Sequence, residues 1–345
     1  MEKITKKPAT IEDVAKIAGV SIATVSRALH FPEKVTQSTR KKITSAIART
    51  GYRANPMAQN LRMQRSKMVM VLTNSISDPN FPGILTGLEK TANQRGYGLL
   101  IGATESKANL EENYMRFLAS GMTDGLILLT GSMPIQDAEE GRANRLPPLV
   151  SVSQPIEHTD VSYVGIDNIN ASKLAVEYLL SLGHKRIVYI SGPQGDAVSE
   201  LRHQGYCAAL ASSFDESYVW KVNGNGTSEG GRSAIEQLFI KDKLPTAFFC
   251  YNDDTAIGAI SALQSRGFNV PKDFSVIGFD DIPFANNVTP ALTTIRQPRR
   301  QMGEIAMNHL LDNLPDRSIP IESALLHGDL VVRDSCTTPD HSKFK

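Results

Sequence analysis

The residues best suited to directional chemistry fall just after apolar runs of strand length. Asp78, Asn80 and Phe81 follow the run Val69–Leu72, Asn252 follows Ala247–Cys250, and Asp280 follows Val276–Phe279. Arg202 stands before a helical pattern in ELRHQGYCAAL. Carboxylate, amide and guanidinium groups supply the hydrogen bonds that hydroxyl-rich or heterocyclic small molecules require. A second set, Ser21, Thr24, Ser26, Arg27 and Thr36, lies in a basic segment near the start of the chain. A guanidinium fork can hold guanine O6 and N7 together. The hydroxyls suit phosphate contacts, and equally helix caps or back-bonding. No catalytic constellation emerges: seven histidines yield no Ser/His/Asp set, and phosphate loop, nucleophile elbow and paired carboxylates are all missing. Asp280–Asp281 and Asn252–Asp253–Asp254 have no histidine beside them, and Asp254 suits a helix N-terminus, so neither a metal nor a cofactor is expected.

The elements that must position these groups alternate. Apolar runs at Val69–Leu72, Leu99–Ile101, Leu126–Leu129, Ile187–Ile190, Ala247–Cys250 and Val276–Phe279 are separated by helical patterns such as Ile84–Arg95, Ala171–Leu182 and Asp254–Arg266. This alternation implies parallel sheets covered on both faces, and about 270 residues of it implies two similar lobes. Ligands of such folds bind beyond the carboxyl ends of the strands. With 345 residues at 41% hydrophobic, the chain exceeds one core. Three cysteines, without CxxC, point to reduced thiols and a cytoplasmic setting. No window approaches the roughly 20 apolar residues of a membrane span.

Charge separates a head from this body. Residues 1–67 hold fourteen Lys+Arg against four Asp+Glu, net +10, while the remainder is net −9. Clustered positive charge is the footprint of phosphate-backbone binding. Thr10 and Asp13 form a capping-box pattern before Ile11, Val14, Ala15 and Ala18; Gly19 stops that helix, and Ser21 can cap a second. The second helix turns Val25 and Leu29 inward, leaving Ile22, Ala23, Ser26 and Arg27 on the other side. A third, about Thr36–Thr50, ends at Gly51. Two helices joined by a short glycine-containing turn form a helix-turn-helix, whose second helix enters a major groove.

Residues 10–29, TIEDVAKIAGVSIATVSRAL, with VTQSTRKKI and GYRANPMAQNLR, resemble the DNA-binding head and hinge of the LacI/GalR family of bacterial transcription regulators. The likeness continues through SDPNFPGILTGLE, GHKRIVYISGP, CYNDDTAIGAI, VPKDFSVIGFDD and LTTIRQP, and so covers nearly the whole chain. It implies an all-α helix-turn-helix head (1–54), a hinge helix and linker (55–67), and a two-lobed periplasmic-binding-protein-like α/β body (68–338). By resemblance, Ile22 and Ala23 vary with operator sequence, Arg27 reads a guanine, and Leu61 wedges into the minor groove. Positions matching Arg202, Asn252 and Asp280 bond a small-molecule effector, and the aromatic matching Phe81 lines its pocket. Three segments should cross between the lobes, near Val164–Asp167, Val288–Ile295 and Ile319–Leu326.

Two departures bear on the effector. Gly226 stands where several family members place a stacking aromatic, and Ser153 and Gln154 occupy a loop where some carry an aspartate. Sugar, nucleoside or a related metabolite all stay open. The expected function is an operator-binding repressor controlled by a small metabolite, a homodimer on pseudo-palindromic double-stranded DNA, since no leucine-heptad segment follows VVRDSC. The alternatives are a solute-binding receptor, or a sugar- or nucleotide-processing enzyme with an α/β body. Gly224, Gly226 and Gly230 read as a flexible turn rather than a dinucleotide fingerprint, and His184 as a turn histidine.

Overall fold

The computed structural model describes residues 9–52, 65–105, 107–133, 148–156, 159–211, 219–239, 244–315 and 322–340. The chain divides into two compact units, residues 1–66 and 67–345. Leu61 and the hinge segment around it lie outside the described residues.

In the first unit, helices α1 (Ile11–Ala18), α2 (Ile22–His30) and α3 (Gln37–Thr50) follow from local signals. The Thr10 hydroxyl accepts the Asp13 amide at 3.3 Å while the Asp13 carboxylate accepts the Thr10 amide at 2.9 Å, closing the capping box. Gly19, at φ +67°, ends α1 in the left-handed conformation that glycine adopts without a Cβ clash. Ser21 Oγ accepts the Thr24 amide at 3.2 Å and starts α2. Val14, Ala15, Ala18, Val25, Ile43 and Ala46 form the core. Burial of Val25 and Ile43 stabilises by about 1.5–3 kcal/mol each.

The second unit has two parallel sheets. In the N-lobe the order is β11-β5-β4-β3-β1-β2, comprising β1 (Met68–Thr73), β2 (Gly98–Ala103), β3 (Gly125–Leu129), β4 (Leu149–Val152), β5 (Tyr163–Ile166) and β11 (Ala324–Leu326). Helices α4 (Phe81–Gln94) and α10 (Arg299–Asn313) cover one face; α5 (Ala108–Ala119) covers the other. α4 and α10 approach so closely that a Cβ on Gly87 would strike the Arg300 carbonyl. In the C-lobe the order is β7-β6-β8-β9, from β6 (Ile187–Ser191), β7 (Lys221–Asn223), β8 (Ala247–Cys250) and β9 (Ser275–Ile277). Alternation along β6 sends Tyr189 toward α6 (Asn168–Ser181) and α7 (Ala197–Ala211), and Val188 and Ile190 toward α8 (Ser228–Leu238) and α9 (Asp253–Ser265).

Among the described residues, three segments join the lobes. The first runs from β5 into α6 at Ile166–Asn168, overlapping the end of the expected Val164–Asp167. The second lies later than expected, at Arg296–Arg299, because β10 (Thr294–Arg296) remains tied to the C-lobe through bridges Ile277–Thr293 and Asp280–Arg296. The third runs from β11 to β12 (Asp329–Val331), past the expected Ile319–Leu326, because Ala324–Leu326 still pair with β5 of the N-lobe; β12 pairs antiparallel with β10. His184 is buried, with Nδ1 2.9 Å from Thr246 Oγ1 and Nε2 2.9 Å from Ser275 Oγ and the Thr337 carbonyl; these bonds fix its turn to the sheet.

Candidate ligand cleft and nucleic-acid interface

On the head, α2 presents Ile22, Ala23 and Arg27 to solvent, Ile22 being 46% exposed. The Arg27 guanidinium has no partner among the described residues, which leaves its fork available. Ser21 and Thr24 are tied to each other, Oγ to Oγ1 at 2.9 Å, so the cap and a surface hydroxyl are one unit. Thr36 is exposed at the start of α3 and bonds Thr39 Oγ1 at 2.9 Å without capping the helix backbone. Ser26 is half-buried on the same helix as Arg27.

In the body, Asp280 is the meeting point. Its Oδ2 accepts from Asn80 Nδ2 at 3.0 Å; its Oδ1 accepts from Gln297 Nε2 at 2.5 Å and lies 3.5 Å from Arg202 Nη2. Asn80 precedes N-lobe helix α4 and Asp280 follows C-lobe strand β9, so this carboxylate bridges the lobes. Arg202 is gripped from all sides: Nε donates to Asn168 Oδ1 at 2.9 Å, Nη1 to the Tyr251 carbonyl, and its guanidinium carbon lies 3.6 Å from the Phe279 ring centroid. Arg299 donates to Asn80 Oδ1 at 3.0 Å and to the carbonyls of Asp280 and Asp281 at 2.8 and 2.7 Å. Those two aspartates have φ of 119° and 57°, conformations costing on the order of 1–3 kcal/mol each that the Arg299 bonds help to hold.

The carboxylates of this cleft oppose one another, with Arg202, Arg296, Arg299 and Arg333 set against Asp280 and Asp281. Protein atoms crowd Asp78, although solvent still reaches the residue; crowding first, then the charges of Asp280 and Asp254, raise its carboxyl above the ordinary range. Asp254 is raised by burial and by Asp280. Asp253, fully buried, is raised well above the usual range by desolvation and Asp280, while Thr294 Oγ1 and the Ile282 amide bond it at 2.5 and 2.8 Å. Burial pushes Asp281 up, but Arg333 and Arg296, at 2.5 and 2.7 Å, outweigh it and hold the carboxyl low. Tyr163 is pushed up to about 12 by burial, opposed by Arg202 and Asn168.

The remaining expected site residues serve partly in architecture. Asn252 is the N-cap of α9: its Oδ1 accepts from the Thr255 amide and hydroxyl, and its Nδ2 donates to the Gly226 carbonyl at 2.9 Å. Phe81 packs into the N-lobe core with Ile84 and Leu88. Asp78 accepts the Asn80 amide at 2.8 Å, and Ser153, at φ 68°, offers its carbonyl to Tyr163 at 3.2 Å. Gly226 lies in a turn, as expected, at φ 71°, and that turn packs beside Tyr251. A Cβ there would come within 3.2 Å of the Tyr251 ring, and one on Gly192 within 2.7 Å. Tyr251 thus occupies the space beside position 226.

Residues 10–55 match the family described as bacterial regulatory proteins, lacI family, and residues 176–336 match a periplasmic binding protein-like domain. The chain is 38% identical over 330 residues to the HTH-type transcriptional repressor CytR of Escherichia coli strain K12, spanning 95% of this chain and 96% of that protein.

The chain belongs to the LacI family of bacterial regulatory proteins.

Its fold matches a crystal structure of the lac repressor dimer bound to operator and the anti-inducer ONPF (TM-score 0.80, 27% identity, 96% of this chain and 100% of that one). It also matches the complex of transcriptional regulator CelR with cellobiose (TM-score 0.69, 28% identity, 95% and 99%). The chain joins a helix-turn-helix head to a two-lobed α/β body with parallel sheets, matching the lac repressor structure. Among the described residues, no grouping of three or more His, Cys, Asp and Glu side chains could hold a metal, and no helix is long and apolar enough to cross a membrane.

Sequence reasoning missed Gln297, Arg299, Asn168 and Tyr251 as members of the cleft. Gln297 lies inside LTTIRQP, a stretch already singled out, but its 5% exposure and its bond to Asp280 are products of the second crossing. Nothing in the local sequence sets Arg299 apart from its neighbour Arg300; only the fold turns Arg299 toward Asn80.

Proposed function

We propose that this protein is a cytoplasmic, homodimeric repressor that binds a pseudo-palindromic operator and answers to a small metabolite held between its lobes. The observation that carries this reading is the union in one chain of an outward-facing Arg27 on the second helix of a helix-turn-helix with a carboxylate, Asp280, that bridges two lobes. Arg27 reads a guanine in each half-site, Ile22 and Ala23 make apolar contact with neighbouring bases, and Ser21, Thr24, Ser26 and Thr36 meet phosphates. Leu61 is the minor-groove wedge. The relatives support this: CytR is named a transcriptional repressor, and the lac repressor structure is a dimer on operator.

The effector is a hydroxyl-bearing molecule, a sugar or nucleoside, with donors for Asp280 and acceptors for Arg202. CelR, seen with cellobiose, makes a sugar the simpler case. Tyr251 filling the space beside Gly226 argues against a ligand that must stack at that position. Asp78, Asn80, Phe81, Ser153 and Asn252 complete the walls, partly through the backbone they hold. No cofactor takes part and no reaction is catalysed. A ligand shifts operator affinity only if it favours one lobe arrangement over the other, and exchange of the Asn80–Asp280 bond for ligand bonds supplies that difference.

Selecting duplexes from a random library with the full chain, then screening metabolites by thermal shift, tests the reading. Enriched two-fold-symmetric sites, with a stabilising metabolite that changes their affinity, are expected. Unenriched DNA, or a metabolite turned over rather than bound, would overturn it.

A further inference from the structure

The three thiols of the chain occupy very different surroundings. Cys250 is fully buried in the C-lobe core, and desolvation raises its thiol well above the usual range. Cys336 is pushed up to about 12, burial outweighing the hydrogen bonds it makes. Both are held as neutral thiols, which are poor nucleophiles. Cys207 is half-buried on α7, and its sulfur lies 3.5 Å from His203 Nε2. On the other side of that imidazole, Nδ1 lies 3.5 Å from Glu200 Oε1. The ring is also fixed by stacking, 5.6 Å from Tyr189 at 19° and 6.0 Å from Tyr206 at 22°.

Glu200, His203 and Cys207 fall at spacings of three and four on one helix, and therefore on one face. A carboxylate on Nδ1 favours the tautomer whose proton sits there, which leaves Nε2 to accept the thiol proton. The order carboxylate, imidazole, sulfur is that of an activated nucleophile, built here outside the ligand cleft. Arg202, the neighbour of His203, turns the opposite way, into the cleft.

We propose that Cys207, activated by His203 and Glu200, is the reactive thiol of this protein and a site of modification by peroxides. His203 takes the thiol proton, and the sulfur attacks one peroxide oxygen. A sulfur–oxygen bond forms as the oxygen–oxygen bond breaks. With hydrogen peroxide, the departing hydroxide takes the proton back from the imidazolium. The products are a sulfenic acid on Cys207 and water: sulfur is oxidised by two electrons and the peroxide reduced by two. This proposal stands independently of the regulator reading.

The test follows each cysteine separately in the folded full-length chain, by mass spectrometry of peptides after timed exposure to iodoacetamide, and in parallel to hydrogen peroxide with dimedone trapping. Cys207 should be alkylated at least tenfold faster than Cys250 or Cys336 at pH 7 and should be the dimedone-labelled position. Because His203 also packs on two tyrosines, Glu200→Gln accompanies His203→Gln, and melting temperature is followed for both. Each variant should slow Cys207 alkylation at pH 7 several-fold, with the difference closing at pH 10, where the thiol ionises unaided. Equal labelling of the three cysteines, or Cys207 rates unchanged at pH 7 in well-folded Glu200→Gln and His203→Gln, would overturn the proposal.

Discussion

The head and the cleft treat their polar side chains in opposite ways. On α2, Arg27 faces solvent without a partner among the described residues, and the hydroxyls of Ser21 and Thr24 bond only each other and their own helix. In the cleft, Asp280, Arg202, Asn80 and Arg299 are already engaged, by one another and by Gln297, Asn168 and backbone carbonyls. The difference teaches how each surface can bind. A preformed, unsatisfied surface can meet a rigid partner without breaking anything, whereas a satisfied one must exchange existing bonds for ligand bonds. Exchange across the Asn80–Asp280 contact necessarily alters what holds the lobes together, which makes binding there capable of a mechanical consequence.

The largest expected effect tests the engaged side. Asp280→Ala removes the acceptor for Asn80 and Gln297 and for ligand hydroxyls. Charged hydrogen bonds are worth about 1.5–3 kcal/mol each, so ligand affinity should fall by a factor on the order of a hundred, measured by calorimetry with the metabolite that thermal shift selects. Normal affinity in a well-folded variant would remove Asp280 from the site. On the open side, Arg27→Ala should cost roughly 1–3 kcal/mol on operator and little on random duplex, because base readout rather than phosphate attraction is lost. Equal losses on both duplexes would make Arg27 a phosphate contact.

Two smaller effects sharpen the contrast through stability. Asp281→Asn leaves Arg333 and Arg296 without their carboxylate and should destabilise the body by about 2 kcal/mol at pH 7. The Asp281 carboxyl is held below its ordinary 3.8, so its contribution is complete above that value and is lost as pH falls through the lower folded value. Chemical denaturation of wild type and variant should therefore converge in strong acid; a constant gap would place the effect elsewhere. Ser21→Ala should cost about 1 kcal/mol through the lost cap of α2, read as a lower melting temperature of the head with the body unchanged.

What could be read from the sequence divides along the same line. The head's helices are specified by signals a few residues apart: Thr10 with Asp13, Gly19, Ser21, and Gly51 at φ +67°. Even so, the described head gives no view of Leu61, whose wedge role rests on resemblance. Six strands announced themselves as apolar runs, but the four-residue interior strands β4 and β5 did not, β7 buries only Val222, and β10 and β12 span three residues each, too short to carry a period. Cleft members were visible as residue types at strand ends, not as partners. Asn80 and Asp280 are 200 positions apart, and Asn80 and Arg299 219, separations at which no local pattern reports contact. Asn252 shows the converse: its amide type suited a ligand, while its place before α9 commits it to the helix cap.

The most direct test of the central claim is the affinity of the full chain for a selected operator and for a random duplex of equal length, by fluorescence anisotropy at one physiological salt concentration. Sequence readout by a preformed head predicts that operator binds at least roughly a thousandfold more tightly. Equal affinity for the two duplexes would contradict it and reduce the basic head to a nonspecific phosphate-binding surface.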